Sequence, residues 1–148
     1  MPLNPSTTWI YHITDVENLP TILQSGGLFS DVAITKNGGP AANIGYDHIK
    51  RRRAQEIRVE CCDNKFVGEF VPFYYCPRSI MLFTVNRGAT NRPVGCQSEI
   101  IHLVSSVSTA VALGQQWAIS DGNAGAHAAT FGSRLTMLDE LNWGAIQA

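Results

Sequence analysis

No apolar run in this chain of 148 residues approaches the roughly 20 needed to span a bilayer, and no basic segment precedes an apolar one at Met1. A soluble, cytoplasmic protein is the expectation. Charge is scarce as well: 16% of residues are charged, 11 cationic against 12 anionic, where globular chains carry about 25%. A net charge of −1 rules out a nucleic-acid coat built on overall charge. No Walker-A loop, G-x-S-x-G elbow, H-E-x-x-H or G-x-G-x-x-G occurs, which removes the commonest nucleotide, hydrolase and metalloprotease signatures. Cys61, Cys62, Cys76 and Cys96 form neither a C-x-x-C knuckle nor a pairing with suitably spaced His. Free thiols and no metal site are therefore expected.

An apolar share of 45% is ample for a core and too high for disorder. The length suits one domain over residues 1–148. After a Pro/Ser/Asn arm, residues 8–13 read as a strand. Thr14-Asp15-Val16-Glu17 spells a capping box, but Pro20 favours a helix that starts at Asn18 with Pro20 in its first turn. That helix has Leu19, Ile22 and Leu23 as its apolar face and ends at Gly26-Gly27. Residues 30–42 read as loop, 47–57 as a short helix, and 70–76 and 80–85 as strands. Residues 86–98 read as loop and 99–104 as a strand apolar enough to be central. A helix over 106–116, a strand at 117–119, a turn at 120–125 and a helix from Asp139 complete the order. Strand, helix, several strands, then helices without repeats is an α+β pattern with a mostly antiparallel sheet.

Eight of the eleven cations are Arg, and seven of these lie between residues 51 and 92. The run Lys50-Arg51-Arg52-Arg53 reads either as a solvated helix face or as a grip on phosphates, which Arg holds bidentately. His12, at a strand end beside a helix entry, is either structural or presented to a ligand near an anion-favouring terminus. In Phe73-Tyr74-Tyr75, alternation puts Phe73 and Tyr75 on one face. Phe73 suits a core, while Tyr75 beside Arg78 suits either a core or a stacked base. Asp121 and Asn123 suit a turn, and Trp143 a core.

Taken together these stretches resemble the DarT family, toxins of toxin–antitoxin pairs that ADP-ribosylate DNA. The matching residues are Trp9 to Thr14, Asn18 to Leu23 with Gly26 to Leu28, Asn43 to Gly45 with Ile49 to Arg53, and Val71 to Ser79 with Met81-Leu82. Glu99 to Ser105, Ser120 to Ala124 and Leu138 to Trp143 follow in the same order. The resemblance implies an ADP-ribosyltransferase fold, a split sheet gripping NAD⁺ as co-substrate. It also implies transfer of ADP-ribose to a base of single-stranded DNA, thymine in the first place, and a macrodomain-type antitoxin as partner in a bacterial cytoplasm.

By the same resemblance, His12 and Thr14 hold the nicotinamide ribose and amide, with Ile13 between them and Asn18 supporting the loop. An arginine of the run contacts the NAD⁺ phosphates and assists catalysis, Arg53 first and Arg51 as its alternative, with Arg52 on the cofactor. Tyr75, Arg78, Met81, Arg92 and Asn123 line the side facing nicotinamide or DNA. Where relatives carry His in the Ser-Asp-x-x-Ala turn, this chain has Asn123. The family's general-base Glu lies on a late strand beyond the region matching Leu141-Asn142-Trp143. This chain ends at Ala148, and Glu99, Asp139 and Glu140 are poor substitutes. The expectation is a fragment, or a shortened relative, with weak or no transferase activity. Other readings are a non-catalytic module binding NAD⁺ or single-stranded DNA, and a transferase with an RNA or protein acceptor. A sheet lacking its late strands exposes an edge. The isolated chain is accordingly expected to self-associate or to melt at low temperature, and size-exclusion chromatography showing a thermally robust monomer would contradict that.

Overall fold

Strand β1 (Trp9–Asp15) follows from its run of β-branched and aromatic residues and extends two residues beyond the expected end. The structure is a computed structural model that describes residues 3–36, 51, 53–77, 99–122, 124 and 129–146. β1 pairs antiparallel with β4 (Ile100–Ser106) in an unbroken register from Trp9↔Ser106 to Asp15↔Ile100. On its other side, Tyr11 and Tyr74 exchange two backbone hydrogen bonds of 2.8 Å. Among the described residues β1, rather than β4, is thus the strand with neighbours on both sides, and Val104 of β4 stays 57% exposed.

Residues 70–76 form no full strand; only Tyr74 bridges to β1. Pro72 has no N–H to give a ladder, and its carbonyl is taken by the His12 ring. The expected strand at 80–85, the loop at 86–98 and most of the helix at 47–57 lie outside the described residues. Residue 51 and residues 53–55 are helical.

Asp15, rather than Thr14, closes the first turn, its carboxylate accepting from the Glu17 N–H at 2.9 Å. A 3₁₀ turn over Val16–Asn18 leads into helix α1 (Leu19–Ser25), with Pro20 in the first turn and Gly26 at φ 82° behind it. That left-handed cap is a conformation glycine adopts without penalty. The expected apolar face is narrower: Leu19 and Ile22 are half-buried, but Leu23 is 72% exposed. Ile22 and Leu23 point about 100° apart on a helix, so a short helix turns only one of them inward.

The stretch expected to be loop from Ser30 contains helix α2 (Asp31–Lys36). The Ser30 hydroxyl accepts from the Ala33 N–H at 3.2 Å and its carbonyl from the Ile34 N–H at 2.9 Å. Two short strands, β2 (Arg58–Val59) and β3 (Lys65–Phe66), were not anticipated; they pair antiparallel around a tight turn with Asp63 and Asn64 at φ 56°.

Helix α3 (Val107–Ala112) starts at Ser106, whose hydroxyl accepts from the Thr109 N–H at 3.2 Å. It is shorter than the expected 106–116 and stops before Gly114, at φ 77°. The next strand is β5 (Ile119–Ser120), two residues placed later than expected, and it pairs antiparallel with β6 (Phe131–Gly132). In place of one helix from Asp139, a 3₁₀ stretch covers Leu135–Glu140 and helix α4 covers Trp143–Ile146. Asp139 accepts from the Leu3 N–H and Glu140 pairs with Arg134, so neither carboxylate opens a helix.

The α+β class holds, and every ladder among the described residues is antiparallel. The face of β1 carrying Ile10 packs on Val107, Ile119, Met137, Leu138 and Leu141, with Phe73, Tyr75 and Trp143 around them. A second cluster joins Ile57, Val59, Cys62 and Val67. No helix among the described residues is long and apolar enough to cross a membrane. Leu138, 1% exposed, anchors the first cluster. Leu138→Ala is expected to lower the unfolding free energy by about 2–5 kcal/mol, as buried Leu truncations do, seen as a lower midpoint in urea at unchanged slope.

Candidate functional site

Alternation along β1 turns Ile10, His12 and Thr14 to one face and Trp9, Tyr11, Ile13 and Asp15 to the other. His12 Nδ1 lies 2.8 Å from the Pro72 carbonyl. A carbonyl only accepts, so Nδ1 carries the hydrogen, and in the neutral ring Nε2 is the acceptor. Phe73 flanks the ring at 5.6 Å between centroids. Two residues along the same face, Thr14 is buried and its hydroxyl accepts from Asn18 Nδ2 at 3.1 Å. Asn18 sits at the N-cap of α1, so the strand end and the helix entry are joined by side chains as well as by chain. Ile13, expected in the cofactor set, is buried on the opposite face. Asp15, 3% exposed, was missed by the sequence reasoning. Its signal was available, since Asp caps a helix as well as the Thr one position earlier.

The segment after Pro72 is pinned from both faces of the sheet. His12 holds the Pro72 carbonyl from one face, and His102 Nε2 donates to the Pro77 carbonyl at 2.9 Å from the other. His102 stands edge-on to Tyr11 at 6.2 Å. No pattern in the sequence points to His102 or to the two carbonyls, because each pairing joins residues far apart in the chain.

Arg51 and Arg53, two positions apart, are roughly 200° apart around a helix. Arg51 is exposed; Arg53 is 6% exposed and its Nε makes no hydrogen bond. A buried donor without a partner costs about 1–3 kcal/mol, so this site is incomplete without an acceptor. The position is held from behind. A Cβ at Gly68 would lie 3.0 Å from Ala54 Cα and 3.2 Å from Val32 Cγ2 of α2, so any side chain there would push these neighbours back by a few tenths of an ångström. Such a guanidinium fits anionic oxygen acceptors such as those of a diphosphate. Arg52, Arg78, Met81, Arg92 and Asn123 lie outside the described residues. Among the described residues no three His, Cys, Asp or Glu side chains cluster as metal ligands.

Tyr75 shares its face with Phe73, as alternation predicts, and its ring meets Trp143 edge-on at 5.1 Å against the first core cluster. Burial pushes its phenol up to about 12. Trp143 in turn donates from Nε1 to the Leu138 carbonyl at 2.7 Å. At the far turn, Asp121 exchanges bonds with Thr130, accepting at its carboxylate from the Thr130 N–H at 2.8 Å.

Comparison with known proteins matches residues 11–148 to the DarT family, described as ssDNA thymidine ADP-ribosyltransferase. Over 144 residues the chain is 38% identical to the DNA ADP-ribosyl transferase of Thermus sp. (strain 2.9). That match covers 97% of this chain and 66% of the relative, so the chain spans just under two thirds of its length. Among solved structures, Thermus sp. 2.9 DarT in complex with ADP-ribosylated ssDNA superposes with a TM-score of 0.87 at 36% identity, covering all of this chain and 69% of that one. The same protein in complex with NAD⁺ gives 0.79 at 35% identity, covering all of this chain and 67% of that one.

Tyr75 also sets an alkaline limit. Its folded pKa of about 12 stands above the ordinary 10.0, so below pH 10 it contributes no pH dependence. Between about 10 and 12 the unfolded chain loses the proton first, and stability falls by about 2 kcal/mol. Tyr75→Phe is expected to remove that part of the decline, measured as the difference between the two proteins' urea midpoints across this pH range.

Proposed function

Because the chain belongs to the DarT family, we propose that it transfers ADP-ribose from NAD⁺ to a base of single-stranded DNA. The observation that carries this reading is the superposition on a relative bound to ADP-ribosylated ssDNA, at a TM-score of 0.87 and 36% identity. Thymine is the base proposed, in line with the family's description. As a member of a toxin family, the chain is read as a bacterial cytoplasmic toxin, with a macrodomain-type antitoxin as its partner.

NAD⁺ supplies a ribose whose bond to nicotinamide breaks with positive charge developing on the sugar, while the proton of the incoming base nitrogen passes to the general-base Glu that the family resemblance places beyond the region matching Leu141-Asn142-Trp143. Arg53 is the residue proposed to hold the diphosphate, since its buried Nε has no hydrogen-bond partner of its own. Arg51 is kept as the alternative to Arg53 in that task, with Arg52 on the cofactor. His12 and Thr14 share the face of β1 and are proposed to hold the nicotinamide ribose and amide. Pro72 sets the His12 tautomer and Asn18 orients the Thr14 hydroxyl. Holding these groups in place before the substrate arrives is where such a site gains rate, because no reorganisation then accompanies the developing charge. Ile13 contributes from behind the strand, and Tyr75, Arg78, Met81, Arg92 and Asn123 are proposed for the face that meets nicotinamide or DNA.

Incubation with NAD⁺ and a mixed-sequence single-stranded oligonucleotide, followed by mass spectrometry of the oligonucleotide, tests the reading. The expected product is one ADP-ribose heavier, with the mass on a thymidine. Arg53→Ala is expected to slow its formation by about 10²–10³-fold, the range for removing one preorganised electrostatic donor. Mass gained only by an RNA or protein acceptor would overturn the DNA assignment. NAD⁺ binding without transfer to any acceptor would replace the enzyme with a binding module.

A further inference from the structure

Cys61 and Cys62 lie on the 3₁₀ turn Glu60–Cys62, between β2 and β3, and have no part in the reaction proposed above. The two thiols differ sharply: Cys61 is exposed, and Cys62 is 2% exposed within the second core cluster. One hydroxyl joins them, with Ser133 Oγ 3.2 Å from Cys61 Sγ and 3.4 Å from Cys62 Sγ. The Trp117 carbonyl completes the group, 3.3 Å from Cys62 Sγ and 2.9 Å from Ser133 Oγ. Ser133 has a single proton to give, so a thiol must act as donor whichever acceptor the hydroxyl serves. Trp117 stands just before β5 and Ser133 just after β6. Both ends of the β5–β6 hairpin are therefore tied to one pair of adjacent thiols.

We propose that Cys61 and Cys62 form a modification site, a vicinal dithiol that a peroxide converts to a disulfide, taking from the Trp117 carbonyl at the start of the β5–β6 hairpin its thiol donor. The exposed Cys61 sulfur is oxidised first: it takes one oxygen from the peroxide to become a sulfenic acid, and water leaves. The Cys62 sulfur then attacks it. The S–S bond forms, the S–O bond breaks, and a second water carries off the remaining thiol proton, two electrons having passed to the peroxide. Burial holds the Cys62 thiol above its ordinary range, so it stays protonated while the exposed Cys61 sulfur meets the peroxide first. The product has no S–H left to donate to the Trp117 carbonyl, which keeps only the Ser133 hydroxyl as its side-chain donor in this group. The proposal is independent of the transferase reading, since it concerns a site and readouts that involve neither NAD⁺ nor DNA.

The test treats the full chain with hydrogen peroxide and follows the peptide containing residues 61 and 62 by mass spectrometry, with hydrogen exchange read on the same sample. That peptide is expected to lose two hydrogen masses and to regain them with dithiothreitol. Exchange at Ile119, Ser120, Phe131 and Gly132 is expected to rise about fivefold, the factor that one net hydrogen bond represents. Cys61→Ser, which keeps a hydroxyl beside Ser133, is expected to abolish both effects of peroxide, each read against the untreated variant. A peptide that gains oxygen without losing hydrogen, or stays unmodified, would overturn the disulfide. A disulfide with unchanged exchange in the hairpin would overturn the coupling.

Discussion

The antiparallel ladder between β1 and β4 sets the direction of every side chain on the first strand, and the rest of the described structure is arranged around it. Seven residues pair without a bulge, from Trp9↔Ser106 to Asp15↔Ile100. With a side-chain period of two, a slip of one residue would send Ile10, His12 and Thr14 to the opposite face. The burial of Ile10 against Leu138, Met137 and Leu141 resists that slip. Core packing at one end of the strand thereby orients the candidate site at the other.

The second constraint is the close approach at Gly68, which lets the helical stretch bearing Arg53 settle against the 3₁₀ turn Val67–Glu69 and α2. Arg53 is buried there with an unsatisfied Nε. Local rules broken in this way, a charged group placed where water cannot serve it, tend to mark the places where a protein meets a ligand. Arg58 offers the contrast. Its guanidinium lies 4.1 Å from the Phe66 ring and donates to the Asn64 carbonyl at 2.9 Å, in an exposed and satisfied arrangement that needs no further partner.

Proline explains much of the shape between the two. Pro72 ends the ladder that Tyr74 begins, because it lacks an N–H, yet its carbonyl supports His12. Pro77 does the same for His102. The polypeptide from 72 to 77 is held by the single backbone bridge at Tyr74 and, on either side of it, by two histidine side chains. That brings Phe73 against His12 and Tyr75 against Trp143 without making the segment a strand.

Several features were legible from local chemistry alone. These include β1, the Pro20 entry and Gly26 exit of α1, a helix beginning near Ser106 and the apolar run of β4, each a matter of neighbouring residues and steric rules. The residue types of the candidate site were legible too, through a family resemblance along nearly the whole chain. Tertiary structure alone decided the remainder. It reduced 70–76 to a single bridge. It also sorted one run of arginines into an exposed Arg51 and a buried Arg53, a distinction that identical side chains cannot express in sequence. The physical reason is the same in each case. Caps, turns and alternation act over a few residues, whereas burial and hydrogen-bond partnership are set by atoms that the chain brings together from far apart.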